Sequence, residues 1–334
     1  MFQYQHSPVS ARCPYCHATS GKLLFTVGAE EAATHFVRPW SDPQRHAALK
    51  EVIDGIWDGA PCQVIECDSC HGGFAFPFLG GDAAFYEIAN QQQGPGSYPT
   101  NRWEYGESLR QCGHIESAIE IGAGDGAFMG RLLQHGADHA TAVEYSPYGL
   151  QAIRTKCPGV TVRHGDELAT IDRTFSHAFM FQSLEHIGNI DIFMETLSRL
   201  VTGQAFISVP NPERTAFGEQ SGLTLDMPPN HIGRYSRLAM ASLVRRHGFE
   251  VRSMTDEPLV WKEAFPEYLR YRFLRLGQIQ GSLPAWIDAH WQGKKRKLAA
   301  AAFSLILAPQ AVFRLAASPR CGLTRLFVLQ KAAP

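Results

Sequence analysis

The sequence predicts an α/β fold in which a doubly wound, mostly parallel sheet follows a small cysteine-rich module. Three observations lead to this prediction. The strand-like run Ile119–Ile121 ends in a glycine-rich turn, later strand-like runs end in acidic or polar residues, and two Cys-x-x-Cys pairs lie near the amino terminus. Strands that alternate with helical patterns are typical of a parallel sheet covered by helices.

The glycine-rich turn spans Glu120–Gly126 and leads into a helical pattern. Its glycines are Gly122, Gly124 and Gly126. Glycines let the backbone turn sharply and approach a ligand, and free amides at the start of the next helix favour negatively charged groups. The turn therefore indicates a nucleotide cofactor. Because Ala127 completes the dinucleotide pattern G-x-G-x-x-G/A and Glu144 follows Gly124 by 20 residues, the turn alone leaves the cofactor open.

Acidic residues end two of the next predicted strands. The second to fifth strands are predicted at Ala140–Glu144, Val160–Asp166, His177–Gln182 and Ala205–Val209. The carboxylate of Glu144 could accept hydrogen bonds from two ribose hydroxyls, and Asp166 could accept one from an adenine amino group. Since the carboxyl ends of parallel strands meet at one edge of a sheet, we expect these ends to border one crevice.

These motifs, in this order, resemble those of class I S-adenosylmethionine-dependent methyltransferases, and the resemblance covers residues 98–255. It includes Glu120–Gly126, Glu144, Gly165-Asp166, Leu184–Ile187, and Asp226–Ser236, which is similar to the Asp-x-Pro-Pro-x-His segment of bacterial small-molecule methyltransferases. The resemblance implies a Rossmann-like sheet of seven strands. One departure is that Ser176-His177 replaces the acidic residue usual at the start of the fourth strand.

The resemblance also implies how the cofactor is held. Glu120–Gly126 would contact the methionine part of S-adenosylmethionine, Glu144 the ribose, Asp166 the adenine, and Gln182 the region beside the sulfonium.

Aromatic residues lie just before the first strand of this domain. Trp103 and Tyr105 follow the linker-like residues 91–97, which are rich in Gln and Gly. They could cover the cofactor as a lid, although packing between the domains would explain them equally well.

Methyl transfer from a sulfonium needs no metal or acid, so catalysis can rest on alignment of the nucleophile, methyl carbon and sulfur. A hydroxyl nucleophile also needs a group that removes its proton. The candidates are His231, His186 and Glu185. Histidine suits this role near neutral pH, but His231 follows two prolines and could instead hold a loop. For Glu185 and His186 the favoured interpretation is structural, because such a pair after a strand often caps or packs the next helix.

Two Cys-x-x-Cys pairs could close four thiolates around a structural zinc ion. They are Cys13 with Cys16 and Cys67 with Cys70. Four protein ligands leave no open position, so the ion would stabilise the fold rather than take part in chemistry. His17 and His71 adjoin the pairs and could replace a cysteine.

A disulfide framework is the alternative use of these cysteines. The remaining Cys62, Cys112, Cys157 and Cys321 suggest no such framework, and no secretory signal is recognisable. We therefore expect a zinc-ribbon-like module and a cytoplasmic location. A module of this kind before a methyltransferase domain resembles bacterial enzymes that act on sugars or natural products.

The predicted domains are residues 1–90 and 98–334. Within the first, Glu30–Trp57 has a helix-like composition, which indicates a helical insertion between the cysteine pairs. Within the second, Phe249–Met254 and Leu323–Leu329 are predicted to form an antiparallel edge of the sheet, with a helical insertion over about 258–320 between them.

The formal net charge is −1, which gives no broad attraction to nucleic acid. This argues against an RNA base methyltransferase, the first alternative.

The favoured function is methyl transfer to a small-molecule acceptor, with an oxygen of a sugar or natural-product scaffold as the target. A non-catalytic S-adenosylmethionine-binding protein is an alternative of another class, and a nicotinamide-dependent dehydrogenase fits less well because nothing supplies its substrate half. The sequence does not indicate an oligomeric state.

The basic run Lys294–Lys297 precedes an apolar stretch, Leu298–Ala317, that is long enough to raise the question of a membrane span. We expect no span, because Pro309 interrupts the stretch, Arg314 adds a charge and a sheet strand has to follow. A helical hairpin that shapes the substrate pocket is favoured, and peripheral contact with anionic lipid is the alternative.

Overall fold

The computed structural model describes residues 4–89, 99–221 and 226–332 and contains two sheets, of five and seven strands. The predicted linker at residues 91–97 lies outside the described residues.

The smaller sheet is antiparallel and carries the two cysteine pairs. Its first four strands are β1 (Ser7–Ser10), β2 (Ser20–Val27), β3 (Cys62–Cys67) and β4 (Gly73–Phe76), accompanied by helices α1 (Ala29–Phe36), α2 (Pro43–Ile56) and α3 (Ala83–Ala89). The helical insertion predicted at Glu30–Trp57 is confirmed as α1 and α2. Asp42 caps α2 by accepting a hydrogen bond from the Arg45 amide at 3.2 Å, and Pro43 starts its first turn.

The larger sheet is formed by the rest of the chain. This part of the chain also contains the helices around the larger sheet and the short strand β10, which belongs to the smaller sheet. In chain order its elements are α4 (Trp103–Gln111), β5 (Ser117–Ile121), α5 (Ala127–Gln134), β6 (His139–Glu144), α6 (Pro147–Lys156), β7 (Thr161–His164), β8 (Phe175–Phe181), α7 (Ile190–Leu200), β9 (Val201–Pro210), α8 (Pro212–Ser221), β10 (Gly233–Arg234), α9 (Arg237–Arg246), β11 (Phe249–Pro258), α10 (Trp261–Gly277), α11 (Leu283–His290), α12 (Gly293–Ala316) and β12 (Cys321–Lys331).

The strand order β11-β12-β9-β8-β5-β6-β7 confirms the seven-stranded doubly wound sheet. The strands β5 to β9 pair in parallel, whereas β12 runs antiparallel to both β9 and β11. The prediction that the last two strands form an antiparallel edge is confirmed, and within this edge β12 lies between β9 and β11 and alone reverses direction. The strand order changes direction between β5 and β8, which places a ligand crevice at their carboxyl ends.

The fourth strand of the domain begins at Phe175, two residues before the predicted start. Ser176 lies where related methyltransferases usually have an acidic residue. It exchanges hydrogen bonds with Ser117 at the start of β5. The Ser176 amide donates to the Ser117 hydroxyl at 3.0 Å, and the Ser117 amide donates to the Ser176 hydroxyl at 3.1 Å. The two hydroxyls therefore join the strands without a carboxylate.

The two parts of the chain share a sheet and a core. The short strand β10 pairs with β4, so that Gly233 faces Phe74 and Arg234 faces Gly73. The buried Tyr15 hydroxyl donates to the Gly73 carbonyl at 2.7 Å and accepts from the Arg234 amide at 3.1 Å. The division into residues 1–90 and 98–334 stays a prediction, but the boundary is crossed by this pairing.

The carboxy-terminal insertion is helical, as predicted, and consists of α10, α11 and α12 between β11 and β12. The helix α12 continues through Pro309, so the expected interruption does not occur. Within the described part of the chain it is also the one helix long and apolar enough to cross a membrane. Only Ala311 and Leu315 of α12 are fully buried, against Ala264 and Tyr268 of α10.

Candidate active site and metal centre

The glycine-rich turn after β5 wraps around the carboxylate of Glu144 at the end of β6. Gly122, Gly124 and Gly126 have φ angles of 79°, 56° and 82°, which favour glycine. The Gly124 amide donates to Oε2 of Glu144 at 2.7 Å, and the Ser146 amide donates to Oε1 at 2.8 Å. Each carboxylate oxygen retains a second lone pair, so these bonds leave room for the predicted contact with ribose hydroxyls.

Gly149, in the first turn of α6, packs against the glycine-rich turn and was missed by the sequence analysis. A Cβ atom there would lie 2.5 Å from the Gly124 carbonyl oxygen and 2.7 Å from Cγ of Glu144. Only glycine therefore lets α6 approach the turn this closely. Its position five residues after the acidic strand end was the available signal.

Glu120 contributes a second carboxylate to the same region. Its side chain is buried, and its Oε2 atom has no hydrogen-bond partner among the described residues. Burial raises the pKa of Glu120 well above its usual value, and the nearby Glu144 and Asp125 raise it further. Asp125 itself is paired with Lys156 at 2.5 Å. The crevice therefore gathers several carboxyl groups, and a cationic ligand would stabilise their ionised forms.

Glu104, between the two aromatic residues proposed as a lid, is also buried and was missed by the sequence analysis. Its Oε1 atom lies 3.5 Å from Arg102 Nη1 and 3.4 Å from the Ser208 hydroxyl, and burial raises its pKa. Tyr105 packs into the core against Phe128 and Phe181, with ring centroids 5.2 and 5.0 Å away. Trp103 is half-buried at the start of α4. Contacts of Trp103 and Tyr105 with the cofactor stay predictions.

Gln182 follows the last residue of β8 and has a positive φ of 51°, which is uncommon for a residue other than glycine. Its amide donates to the Ser208 carbonyl at 3.0 Å, and its side-chain nitrogen lies 3.4 Å from the Ser208 hydroxyl and 3.5 Å from the Thr324 hydroxyl. These contacts turn the side chain toward β9 and β12. Such a backbone conformation at a strand end is common in functional sites.

Asp166 lies in a short 3₁₀ helix, Gly165–Thr170, directly after β7. Its side chain is largely exposed, and its carboxylate lies 3.2 Å from Nδ1 of His164. Its contact with adenine stays a prediction.

The three catalytic candidates come together beyond the end of β8. Glu185 and His186 belong to a 3₁₀ turn, Leu184–His186, and one ligand-type atom from each of Glu185, His186 and His231 lies within 4.8 Å of the others. The rings of His186 and His231 are 4.6 Å apart between centroids. His231 Nδ1 lies 2.7 Å from the Asp226 carboxylate, and His186 Nδ1 lies 2.6 Å from the Asn230 carbonyl oxygen.

The surroundings shift the pKa values of this cluster in different directions. Burial raises the pKa of Glu185 to about 7. Burial and the nearby His231 lower the pKa of His186 to about 3. Burial also acts to lower the pKa of His231, but the hydrogen bond and the charge of Asp226 outweigh it, so that this pKa is raised. Perturbed titratable groups beside a crevice are typical of functional sites.

The four cysteines of the two pairs form a compact cluster in the smaller sheet. The Cys13 and Cys70 sulfurs are 3.6 Å apart, as are those of Cys16 and Cys67, and all four lie within 4.8 Å of one another. Sulfurs bound tetrahedrally at about 2.3 Å from zinc lie about 3.8 Å apart. The cluster therefore fits a zinc ion.

The alternatives for these cysteines receive no support from the geometry. All eight cysteines of the chain are free thiols, and the sulfur separations are too long for disulfides. His17 and His71 follow the second cysteine of each pair with φ angles of 64° and 55°, and their amides donate to Cys13 and Cys67 carbonyl oxygens. Neither histidine belongs to the cluster of potential ligands.

Replacement of Cys16 by serine should weaken zinc binding and destabilise the smaller sheet, because metal binding and folding are coupled in such modules. We expect zinc content per chain to fall well below that of the unchanged protein, and the thiolate-to-cobalt absorption of the cobalt-substituted protein to weaken. Cys112→Ser is the matched control, since Cys112 directly follows α4 and lies outside the cluster. Unchanged zinc content and absorption in Cys16→Ser would show that other residues bind the ion.

Comparison with known proteins is consistent with this site. Residues 99–254 match a family described as a methyltransferase domain. No curated protein sequence matches the chain at a significant level.

Two similar solved structures are named as a methyltransferase and as a cyclopropane synthase. An S-adenosylmethionine-dependent methyltransferase from Mesorhizobium loti is 14% identical, with a TM-score of 0.43, and the match covers 70% of this chain and 100% of that protein. The cyclopropane synthase MmaA2 from Mycobacterium tuberculosis is 12% identical, with a TM-score of 0.42 and coverage of 68% and 83%. Likeness at this level is too weak to bear on the acceptor.

The matched segment contains the glycine-rich turn, Glu144 and the cluster beyond β8, and it forms the larger part of the seven-stranded sheet. Residues 99–254 of the chain therefore form a methyltransferase domain.

Proposed function

We propose that the protein transfers the methyl group of S-adenosylmethionine to an oxygen atom of a small-molecule acceptor, with a hydroxyl of a sugar or natural-product scaffold as the favoured target. In this reaction the acceptor oxygen forms a bond to the methyl carbon. The carbon–sulfur bond breaks with its electron pair left on sulfur, and the hydroxyl proton leaves to a nearby base or to water.

The observation that carries this proposal is the placement of the polar cluster of Glu185, His186 and His231 at the end of β8, next to Gln182. The family resemblance implies that Gln182 would lie beside the sulfonium, and the cluster would then lie on the side where an acceptor approaches. His186 and His231 keep 28% and 15% of their side-chain surface exposed, which leaves the cluster accessible to an acceptor.

The charge of the crevice supports a cationic cofactor. Glu104, Glu120 and Glu144 are buried at its edge, and S-adenosylmethionine carries positive charge on both its sulfonium and its amino group. A dinucleotide would instead bring phosphates beside these carboxyl groups, which supply no positive charge to compensate them. The alternative of a dehydrogenase is therefore disfavoured by the same residues that favour a methyl donor.

Calorimetric titration with S-adenosylmethionine, S-adenosylhomocysteine and a nicotinamide dinucleotide tests the proposed cofactor. We expect the first two to bind and the dinucleotide not to bind. Turnover would then be sought with panels of sugars and phenols. Dinucleotide binding alone would contradict the proposal. Cofactor binding without turnover on any panel would favour a non-catalytic binding protein, and turnover on RNA with a steep salt dependence would favour an RNA methyltransferase.

Replacement of Glu144 by alanine should weaken S-adenosylmethionine binding by about 1 to 3 kcal/mol, the usual loss for a charged hydrogen-bond partner. Part of the loss would arise in the protein, because the Gly124 and Ser146 amides would also lose their acceptor. Calorimetry measures the effect, and Glu167→Ala is the control, since Glu167 is a carboxylate on the following 3₁₀ helix with its own local partners. Equal affinity in Glu144→Ala and the unchanged protein would place the ribose contact elsewhere.

We also propose that α12 brings the protein to an anionic membrane surface. Its exposed large apolar side chains are Leu298, Leu305, Ile306, Val312 and Phe313, each between 53% and 74% exposed. Their spacing of seven residues places them on one face of the helix. We call this set the α12 stripe.

Basic and aromatic residues flank the start of the α12 stripe. Lys294 lies four residues before Leu298 and therefore on the same face, next to Lys295. Trp286 and Trp291, exposed residues with rings 5.5 Å apart, precede the helix. Lysine and tryptophan beside an exposed apolar face are typical of helices that lie in the interface of an anionic bilayer.

Co-sedimentation with vesicles tests the contact with membranes. The protein should bind vesicles of phosphatidylcholine mixed with phosphatidylglycerol more strongly than vesicles of phosphatidylcholine alone. The double change Ile306→Glu with Phe313→Glu should lower this binding by about 100-fold, because two large apolar side chains no longer enter the lipid. Ile192→Glu, at an exposed apolar position of α7, is the control. Absence of vesicle binding, or a dimer that the double change dissociates, would contradict the proposal.

A further inference from the structure

We propose that Glu185, His186 and His231 form a second metal site, separate from the four cysteines, for a divalent first-row transition metal ion that binds the acceptor. The binding of the ion does not depend on the proposed methyl transfer. Only its role toward the acceptor rests on that function.

The three side chains lie close together. One ligand atom from each lies within 4.8 Å of the others, and Glu185 Oε1 is 4.0 Å from His186 Nε2. Nitrogen and oxygen ligands bound to one ion at 2.0–2.2 Å lie at most about 4.4 Å apart. Small rotations of the side chains are therefore enough to bring all three onto one ion.

The hydrogen bonds of the two histidines are those of metal ligands. A histidine ligand usually binds the ion through one ring nitrogen while the other donates to a carboxylate or a backbone carbonyl. His231 Nδ1 is held by Asp226, and His186 Nδ1 is held by the Asn230 carbonyl, with the Tyr86 hydroxyl 2.9 Å from the same nitrogen. In His231 this leaves Nε2 as the nitrogen for an ion, whereas His186 would bind the ion in competition with its second backbone hydrogen bond, to Gln182.

Glu185 provides an independent observation. Its side chain is fully buried, and neither carboxylate oxygen has a hydrogen-bond partner among the described residues. A buried carboxylate without hydrogen bonds is costly, and coordination of a cation is one of the ways in which proteins compensate such a group. A protonated His231 could also compensate the Glu185 carboxylate. The experiment below distinguishes a bound cation from a protonated His231.

The donor set indicates the kind of ion and its use. Two imidazoles and one carboxylate suit iron, zinc or manganese and leave coordination positions open. An acceptor with a hydroxyl, and a second oxygen next to it, could occupy these positions. The ion would act as a Lewis acid that lowers the pKa of the bound hydroxyl, whose proton passes to water before the oxygen attacks the methyl carbon.

Titration of the zinc-loaded full-length protein with Mn²⁺, followed by electron paramagnetic resonance, tests the site. Manganese prefers oxygen and nitrogen ligands to thiolates, so it should report this site rather than the cysteines. We expect about one bound Mn²⁺ per chain. His231→Ala and Glu185→Gln should each weaken binding at least tenfold, and Asp226→Asn should weaken it by about 10- to 100-fold through loss of the partner that orients His231.

His114→Ala is the matched control, because His114 is a surface histidine with a carboxylate, Asp138, 3.4 Å away. Circular dichroism and calorimetry with S-adenosylmethionine show whether each variant keeps its fold and its cofactor site. Absence of bound Mn²⁺ and of any zinc beyond that held by the cysteines would overturn the proposal. Unchanged Mn²⁺ affinity in both His231→Ala and Glu185→Gln would also overturn it.

The same measurements separate this inference from the proposed function. Manganese binding without S-adenosylmethionine binding would support the metal site and contradict the methyl transfer. Turnover that is unaffected when chelation removes the second ion, while the cysteine-bound zinc is retained, would uphold methyl transfer and contradict the role of the ion toward the acceptor.

Discussion

The arrangement of the candidate site depends on how the segment around His231 is clamped between the two sheets. On one side, the Ala75 amide donates to the Ile232 carbonyl at 2.8 Å, and the Ser236 hydroxyl donates to the Cys70 carbonyl at 2.6 Å. On the other side, the Ile232 amide donates to the Glu185 carbonyl at 2.8 Å. A histidine between two fixed backbone contacts loses little further freedom when a ligand binds, which is the physical basis of preorganisation. The cysteine module thereby helps to fix the cluster of Glu185, His186 and His231, although a zinc ion bound by its four cysteines would do no chemistry.

Buried carboxylates are the second constraint. Glu104, Glu120 and Glu185 lie in the interior with raised pKa values, and in each case burial is the largest cause. A fold that serves stability alone would rarely leave Glu120 Oε2 and both oxygens of Glu185 without hydrogen bonds. By contrast, the buried Glu219 is fully engaged by Arg234 and by the Tyr4 hydroxyl. The incompletely hydrogen-bonded carboxylates belong to the candidate site, whereas Glu219 already has a cationic partner in Arg234, as expected if positive ligands compensate only the first group.

The sequence was sufficient for those features whose signal is local. The turn at Glu120–Gly126, the acidic strand end at Glu144 and each cysteine pair are short local patterns. The seven-stranded sheet was implied by the resemblance of the ordered motifs to a known family. The position of β12 was not predictable in this way, because antiparallel insertion between β9 and β11 depends on pairing across more than a hundred residues. The two-residue strand β10 was missed for a related reason, since Gly233 and Arg234 are too few to show an alternating pattern.

Some residues of the site could not be found from the sequence, and the reason is the same for each. Their burial and hydrogen bonds arise from tertiary packing, which the spacing of residues in the sequence does not show. Glu104 is unremarkable in a helical pattern and becomes significant only because α4 buries it beside Ser208. Asp226 was one residue of a motif, yet its role comes from a hydrogen bond that orients His231 toward two side chains distant in sequence. A histidine and a carboxylate become a base, an ion pair or a pair of metal ligands according to which atoms remain unpaired after folding. That property belongs to the folded chain, and the sequence alone could name the candidates but not choose between these chemistries.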